Sequence, residues 1–262
     1  FNIQLEFEDG TNPTPTELEA FERAAFIWEA TIINDLPDVS STNCLSGGGI
    51  NVDDLHIAVQ FEPDDGAGGR LGQAGPCRIR GGTQSPAAGL MLLDSADVAD
   101  LDASGLLDET ILHEMGHVLG IGTLWARFGL LENRSTTSTP TNPCSGEVPG
   151  QDTRFVGVEA AAEFAALGGM GNTPAENDTD RYGCGSLDGH FREATFGTEL
   201  MTPSLGSGAQ LSRVTIASLS DLGFYTVSYG TADPYTLPTG GGLFRDPPRR
   251  LVCTLGVIEE IP

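Results

Sequence analysis

Five consecutive residues, His113-Glu114-Met115-Gly116-His117, concentrate more chemistry than any other stretch of this sequence. On a helix, positions i and i+4 share a face. The two imidazoles can therefore reach one ion at about 2 Å without distorting the backbone, and zinc suits that ligand type. Glu114 adjoins the first ligand and points elsewhere, which suits it to act as general base for a water activated by the metal. The chain has only four histidines, and by composition an HExxH run arises about four times in a thousand such chains. Half of the histidines fall in this one run, on a segment with its own helical periodicity. That weighs against the bland alternative of two solvated histidines on a helix face.

A catalytic zinc takes three protein ligands and keeps one position open. The common extension HExxHxxGxxH requires a histidine at 123; here Gly120 is present but position 123 is Thr123. His56 and His190 are the remaining histidines. His56 lies in an alternating stretch with Leu55 and Ile57 on the opposite face, and reads as a surface or hydrogen-bonded histidine. His190 ends a long loop-rich segment. An acidic third ligand on a following helix is the competing arrangement, although no Asn-Glu or Glu-x-x-x-Asp pattern at helical spacing follows Gly120. Asp94, Asp97, Asp100 and Asp102 form a candidate calcium-binding series without EF-hand spacing, and a solvated acidic loop is the preferred reading for them.

These residues must be positioned by ordinary elements. Leu107, Ile111, Met115 and Val118 form an apolar stripe that predicts a helix over 106–119, with Ser104 as N-cap, Asp108 and Glu109 at its positive end, and Gly120 closing it. Alternation predicts strands over 1–7 and 54–61, and the apolar run 89–94 predicts another. Leu18, Phe21, Ala25 and Trp28 predict a helix after a capped turn at 12–16, ending near Ile33. Residues 63–89, rich in Gly, Asp and Pro, read as loop. The later chain is irregular, with helices predicted over 156–167 and 212–223, and an extended wrap after Gly240-Gly241-Gly242. Strands and helices in this order predict an α+β fold: a sheet-containing N-terminal lobe followed by a less regular C-terminal one.

Composition narrows the partners. The chain has 262 residues, with 37 acidic residues, 13 arginines, no lysine and a formal charge of −24. Such a surface repels phosphate backbones and anionic membranes, so nucleic acid is not an expected partner. No run of eighteen apolar residues predicts a transmembrane span. The five cysteines lack any CxxC pair, and a secreted protein with two disulfides is the natural reading. Sequence order suggests Cys44–Cys77 and Cys144–Cys184, leaving Cys253 over; five reduced, buried thiols are the alternative. The chain begins at Phe1 without a basic-then-apolar leader, which fits removal of a leader or propeptide or trimming of the chain.

Past His190 the sequence runs Phe191-Arg192-Glu193-Ala194-Thr195-Phe196-Gly197-Thr198, then Glu199-Leu200-Met201-Thr202-Pro203. HExxHxxG, a long insertion, a third histidine and Glu-Leu-Met-Thr-Pro together resemble the leishmanolysin family of metzincin peptidases. Ser212 to Tyr225 resembles the family's helix after the Met-turn, and Leu71 to Cys77 and Asp94 to Asp97 resemble segments of its N-terminal half, so the likeness spans about residues 50–236. It implies that His190 completes the zinc site and that Met201 forms the Met-turn beneath the metal. Phe191 stands where the family more often has Trp. The implied architecture is metzincin-like: an N-terminal lobe, 1–120, with a twisted sheet and two helices, and a C-terminal lobe, 121–262, with the third ligand, Met-turn and last helix. The active-site cleft lies between them. The strand around Gly89 to Leu93 is its expected upper rim, pairing with an extended substrate. The implied function is a secreted or cell-surface zinc endopeptidase with one catalytic ion, acting on proteins or peptides. A surface-binding or adhesion module with a structural zinc is the alternative, and the intact Glu114 argues against it.

Overall fold

A computed structural model of the chain describes residues 1–134, 152–239, 250–253 and 258–261. The alternating N-terminal residues form β1 (Ile3–Phe7). Helix α1 (Pro15–Thr31) starts at a capping box: the Thr14 hydroxyl accepts from the Glu17 amide while the Glu17 carboxylate accepts from the Thr14 amide. A hairpin of β2 (Val39–Thr42) and β3 (Gly49–Val52) frames the glycine run, followed by β4 (Leu55–Glu62), β5 (Arg70–Arg80) and β6 (Pro86–Asp94). Two helices come next, α2 (Val98–Ser104) and α3 (Leu107–Val118).

The later chain is less regular. It holds short strands β7 (Leu131–Glu132), β8 (Arg154–Phe155) and β9 (Thr173–Pro174), with α4 (Val158–Ala166) between the last two. Then come α5 (Thr179–Tyr182), a 3-10 turn at Cys184–Ser186, α6 (Glu193–Phe196) and α7 (Arg213–Asp221). Strands β10 (Arg250–Cys253) and β11 (Glu259–Ile261) return to the main sheet.

That sheet has the order β1-β4-β6-β5-β10, with β11 also on β5. Strands β1, β4 and β6 are parallel, and β5 runs antiparallel to β6. Helices α1 and α3 pack together: the Trp28 indole donates to the Leu112 carbonyl at 3.0 Å, and Phe21, Trp28, Ile111, Met115 and Val118 share one buried cluster with Ile57, Leu71, Met91 and Leu93 of the sheet. Leu55 to Val59 is buried at every position, as a parallel interior strand requires, rather than on alternate residues.

The result is a mixed α/β fold with a six-stranded sheet. Several expectations are corrected. Residues 70–80 are not loop but the longest strand of the sheet. Its Gly and Pro residues read as breakers, yet the pairing with β6 shifts register between Pro76 and Arg78, and an irregularity of this kind is where a strand tolerates proline. The strand at 89–93 is not a rim: β6 is paired on both sides, by β4 and β5, so neither edge can take a substrate backbone. Ser104 does not cap the helix of His113 and His117. Its hydroxyl bonds back to the Leu101 carbonyl and ends α2; Gly105 turns left-handed at φ 68°, and α3 starts at Leu107 without a side-chain cap. Three helices, not two, thus occur before residue 120. The predicted stop at Gly120 holds, with φ 109°. The Cys44–Cys77 disulfide forms and ties the β2–β3 hairpin to β5. Cys144 lies outside the described residues, and with it the expected bond to Cys184. Among the described residues no helix is long and apolar enough to cross a membrane.

Candidate metal centre

The i, i+4 spacing on α3 turns His113 and His117 to one side, where His190 meets them from the chain between the 184–186 turn and α6. All three are fully buried. The His190 Nε2 lies 3.2 Å from that of His113 and 3.1 Å from that of His117. A tetrahedral zinc with bonds of about 2.0–2.1 Å separates its ligand atoms by about 3.3 Å, so this spacing fits one ion between the rings.

The tautomers agree. The Nδ1 of His113 faces the Leu200 carbonyl at 2.6 Å, that of His117 the Ile121 carbonyl at 2.9 Å, and that of His190 the Ser186 carbonyl at 3.2 Å. A carbonyl only accepts, so each Nδ1 carries the proton and each neutral ring turns an Nε2 lone pair toward the other two. Burial holds the His113 and His190 imidazoles well below 6.5 and His117 near about 4. Three converging lone pairs are repulsive unless a cation sits among them.

Glu114 is also fully buried, and neither carboxylate oxygen has a hydrogen-bond partner among the described residues. Burial pushes its carboxyl well above the ordinary value, and the Arg70 guanidinium pulls it the other way. A buried, unsatisfied carboxylate is costly and calls for a polar occupant beside it. Donor set, tautomers and orphaned carboxylate together fit a metal site.

Below the rings, Met201 packs under α3. A β-carbon at Gly116 would lie 3.0 Å from the Met201 sulfur and 3.3 Å from the Trp28 ring, so the middle of the motif admits Met201 because residue 116 has no side chain. The Met201 carbonyl accepts from the Phe191 amide at 2.9 Å, which links this turn to the residue after His190. Phe191 itself is buried among Trp125, Phe155 and Phe196, with ring centroids 5.1 Å from Trp125 and 5.2 Å from Phe196. An aromatic cluster thus surrounds the position where tryptophan was expected.

Four residues in this support carried no recognised role in the sequence. Leu200, Ile121 and Ser186 act through backbone carbonyls, which no side-chain pattern reveals. Glu199, buried within Glu-Leu-Met-Thr-Pro, accepts from the Met201 amide at 2.6 Å, from the Ser212 hydroxyl at 2.8 Å and amide at 3.3 Å, and from the Thr215 hydroxyl. It ties the methionine turn to the start of α7. Its signal was present, an acidic residue in an otherwise apolar and hydroxylated stretch.

Other candidate ligands fall elsewhere. His56 is 5% exposed rather than on the surface, and its Nε2 bonds Glu6 on β1 at 2.8 Å. Asp94 and Asp97 are buried, not solvated: Asp94 accepts from the Gly66 and Ala96 amides and Asp97 from the Gly68 amide, tying down the turn before β5. Among the described residues the groups whose ligand atoms converge are the three histidines and Asp35, Asp53 and Asp54, so the Asp94 series gives calcium no support.

Comparison with known proteins agrees with this geometry. A search of curated proteins finds no match to the chain. The family description Leishmanolysin matches residues 43–241, which include all three histidines, Glu114 and Met201. With that match over more than half its length, the chain belongs to the leishmanolysin family, whose members are zinc-dependent metallopeptidases.

Proposed function

We propose that this chain is a secreted zinc endopeptidase of the metzincin type. His113, His117 and His190 hold one catalytic ion, Glu114 is the general base, and Met201 forms the turn beneath the site. Residues 1–120 form one lobe and 121–262 the other, with the substrate cleft between them. The observation that supports this best is the convergence of three buried Nε2 atoms, 3.1–3.2 Å apart about His190, next to a buried carboxylate without a hydrogen-bond partner among the described residues. A zinc ion held there supplies Lewis acidity to the scissile carbonyl and to the attacking water.

The chain's own residues do the rest. The Leu200, Ile121 and Ser186 carbonyls fix the three ring orientations. Burial raises the proton affinity of Glu114, which suits a group that must take a proton from water and return it to the leaving amine. Proteins or peptides are the substrates. The acidic surface disfavours nucleic acid, and the Cys44–Cys77 bond fits an oxidising compartment. A binding module with a structural zinc would need a fourth, closing ligand and would have no use for Glu114.

The test is metal content together with cleavage of denatured casein, with and without a chelator. About one zinc per chain and chelator-sensitive cleavage are expected. Glu114→Ala should keep the zinc and lose cleavage; a fully active Glu114→Ala enzyme would end this reading.

A further inference from the structure

The strand beside the candidate base is β5. A side-chain carbon on Gly72 would lie 3.4 Å from Oε1 of Glu114. The inner edge of β5 is taken by β6, and its outer edge by residues of the same chain. Strand β10 pairs with its first part, Leu251 opposite Gly72, Val252 opposite Gln73 and Cys253 opposite Ala74. Strand β11 pairs with its last part, Glu259 to Ile261 opposite Arg78 to Arg80. Both run parallel to β5. The β10 backbone also lies close to α3 and to the 184–186 turn, whose Ser186 carbonyl orients His190. Strand β10 thus pairs with the residue that faces Glu114 and lies near both the helix that carries two histidines and the turn before the third.

We propose that β10 and β11, residues 250–253 and 259–261, are built-in competitors for the edge on which an extended peptide substrate docks, so that substrate binds only as these strands leave. The proposal rests on the peptidase reading. An outer strand edge offers backbone N–H and C=O groups to whichever extended chain arrives, and two chains cannot use the same groups. The segment is also held by contacts suited to release. The Gly81 amide donates to the Ile261 carbonyl at 2.6 Å, and the ion pairs Arg78–Glu259 and Arg127–Glu260, at 3.5 and 3.6 Å, have glutamate side chains 62% and 49% exposed. Exposed pairs of this kind bind weakly and are screened by salt.

The experiment uses the full chain loaded with zinc. Leu251→Pro with Val252→Pro removes an amide donor at both positions, so the β10 pairing is lost whichever of them faces β5. Glu259→Arg with Glu260→Arg reverses the charges that face Arg78 and Arg127. An edge occupied nine-tenths of the time raises the apparent KM about tenfold. Each double variant should therefore lower KM for an internally quenched extended peptide toward that factor, with kcat and Tm little changed. A synthetic peptide of residues 249–261 should inhibit the variants competitively. Unchanged KM in both variants, or no competition by the peptide, overturns the proposal.

Amide exchange gives an arm that needs no turnover. The proline variant should expose β5 amides that the wild type protects, and the synthetic peptide should protect them again; equal protection in wild type and variant also overturns the proposal. If no form of the protein cleaves any peptide, the peptidase reading fails, while exchange still decides whether the segment competes for the edge.

Discussion

Glu114, the proposed base, is the residue at which function and stability would pull apart. A carboxyl buried without a partner has its folded-state pKa raised above 4.5. The sign follows: its contribution is fully present below the unfolded value and is lost as pH rises toward the folded one. Metal-free Glu114→Gln, neutral at every pH, should therefore be more stable than metal-free wild type at pH about 7, with the gap closing below about 4.5. Thermal melts of both apo proteins across that window check it, and a gap that does not narrow with acid would refute it. Burial raises the Glu199 carboxyl as well, but here four donors aim at its two buried oxygens. Glu199→Gln turns an amide donor toward some of those donors and should cost about 1–3 kcal/mol. Because Glu199 fixes the turn whose Leu200 carbonyl orients His113, zinc affinity should also fall, by roughly 10–100-fold. Zinc titration beside a chemical melt separates the two effects; unchanged affinity would make Glu199 a purely structural residue. At this scale the candidate ligands were legible because the chain has only four histidines and the spacing of two of them is diagnostic. Their orienting carbonyls were not, since every residue has one.

At the scale of elements, His190 is delivered by a backbone contact rather than by a helix of its own. A β-carbon on Gly122 would lie 1.9 Å from the Gly189 carbonyl oxygen, and Gly122 has φ 75°. The turn after α3 and the chain leading into His190 can touch only because residue 122 is glycine. Gly122→Ala should cost about 2 kcal/mol or more from strain and displacement and should weaken zinc binding by moving the third ligand. A Gly122→Ala protein with wild-type Tm and zinc affinity would show that this contact is dispensable. The helices α1, α3 and α7 were legible from apolar residues at helical spacing; α1 buries one face, while α3 and α7 are buried nearly all round. Strand β5 was not, because glycine and proline mark loops by local preference while its pairing with β6 is a property of the neighbour. The same reason misplaced the sheet edge. An apolar run identifies β6 as buried strand, and only the pairing order shows that it lies inside the sheet.

For the whole molecule, the dominant feature is charge. A formal −24 spread over 262 residues opposes compaction through self-repulsion. Added salt shortens the screening length from about 30 Å at 0.01 M to about 3 Å at 1 M. Tm should therefore rise with sodium chloride over that range, in the apo and zinc-loaded forms alike. A flat or falling Tm would mean that acidic repulsion is not limiting stability. Salt should also weaken the exposed pairs that hold β11, so the KM of the wild type should fall while that of the Glu259→Arg, Glu260→Arg protein changes less.

The sequence by itself determined the candidate chemistry: two histidines at metal-ligand spacing, a glutamate between them, and the helix that carries all three. These are local, since one turn of helix suffices to place His113 against His117. Tertiary structure decided what depends on distant residues meeting. It brought His190, 77 positions from His113, to the other two rings, left Glu114 buried without a hydrogen-bond partner among the described residues, and placed β5 between β6 and β10. Strand pairing and convergence of ligands are contacts between segments far apart in the chain, and nothing in either segment alone encodes its partner.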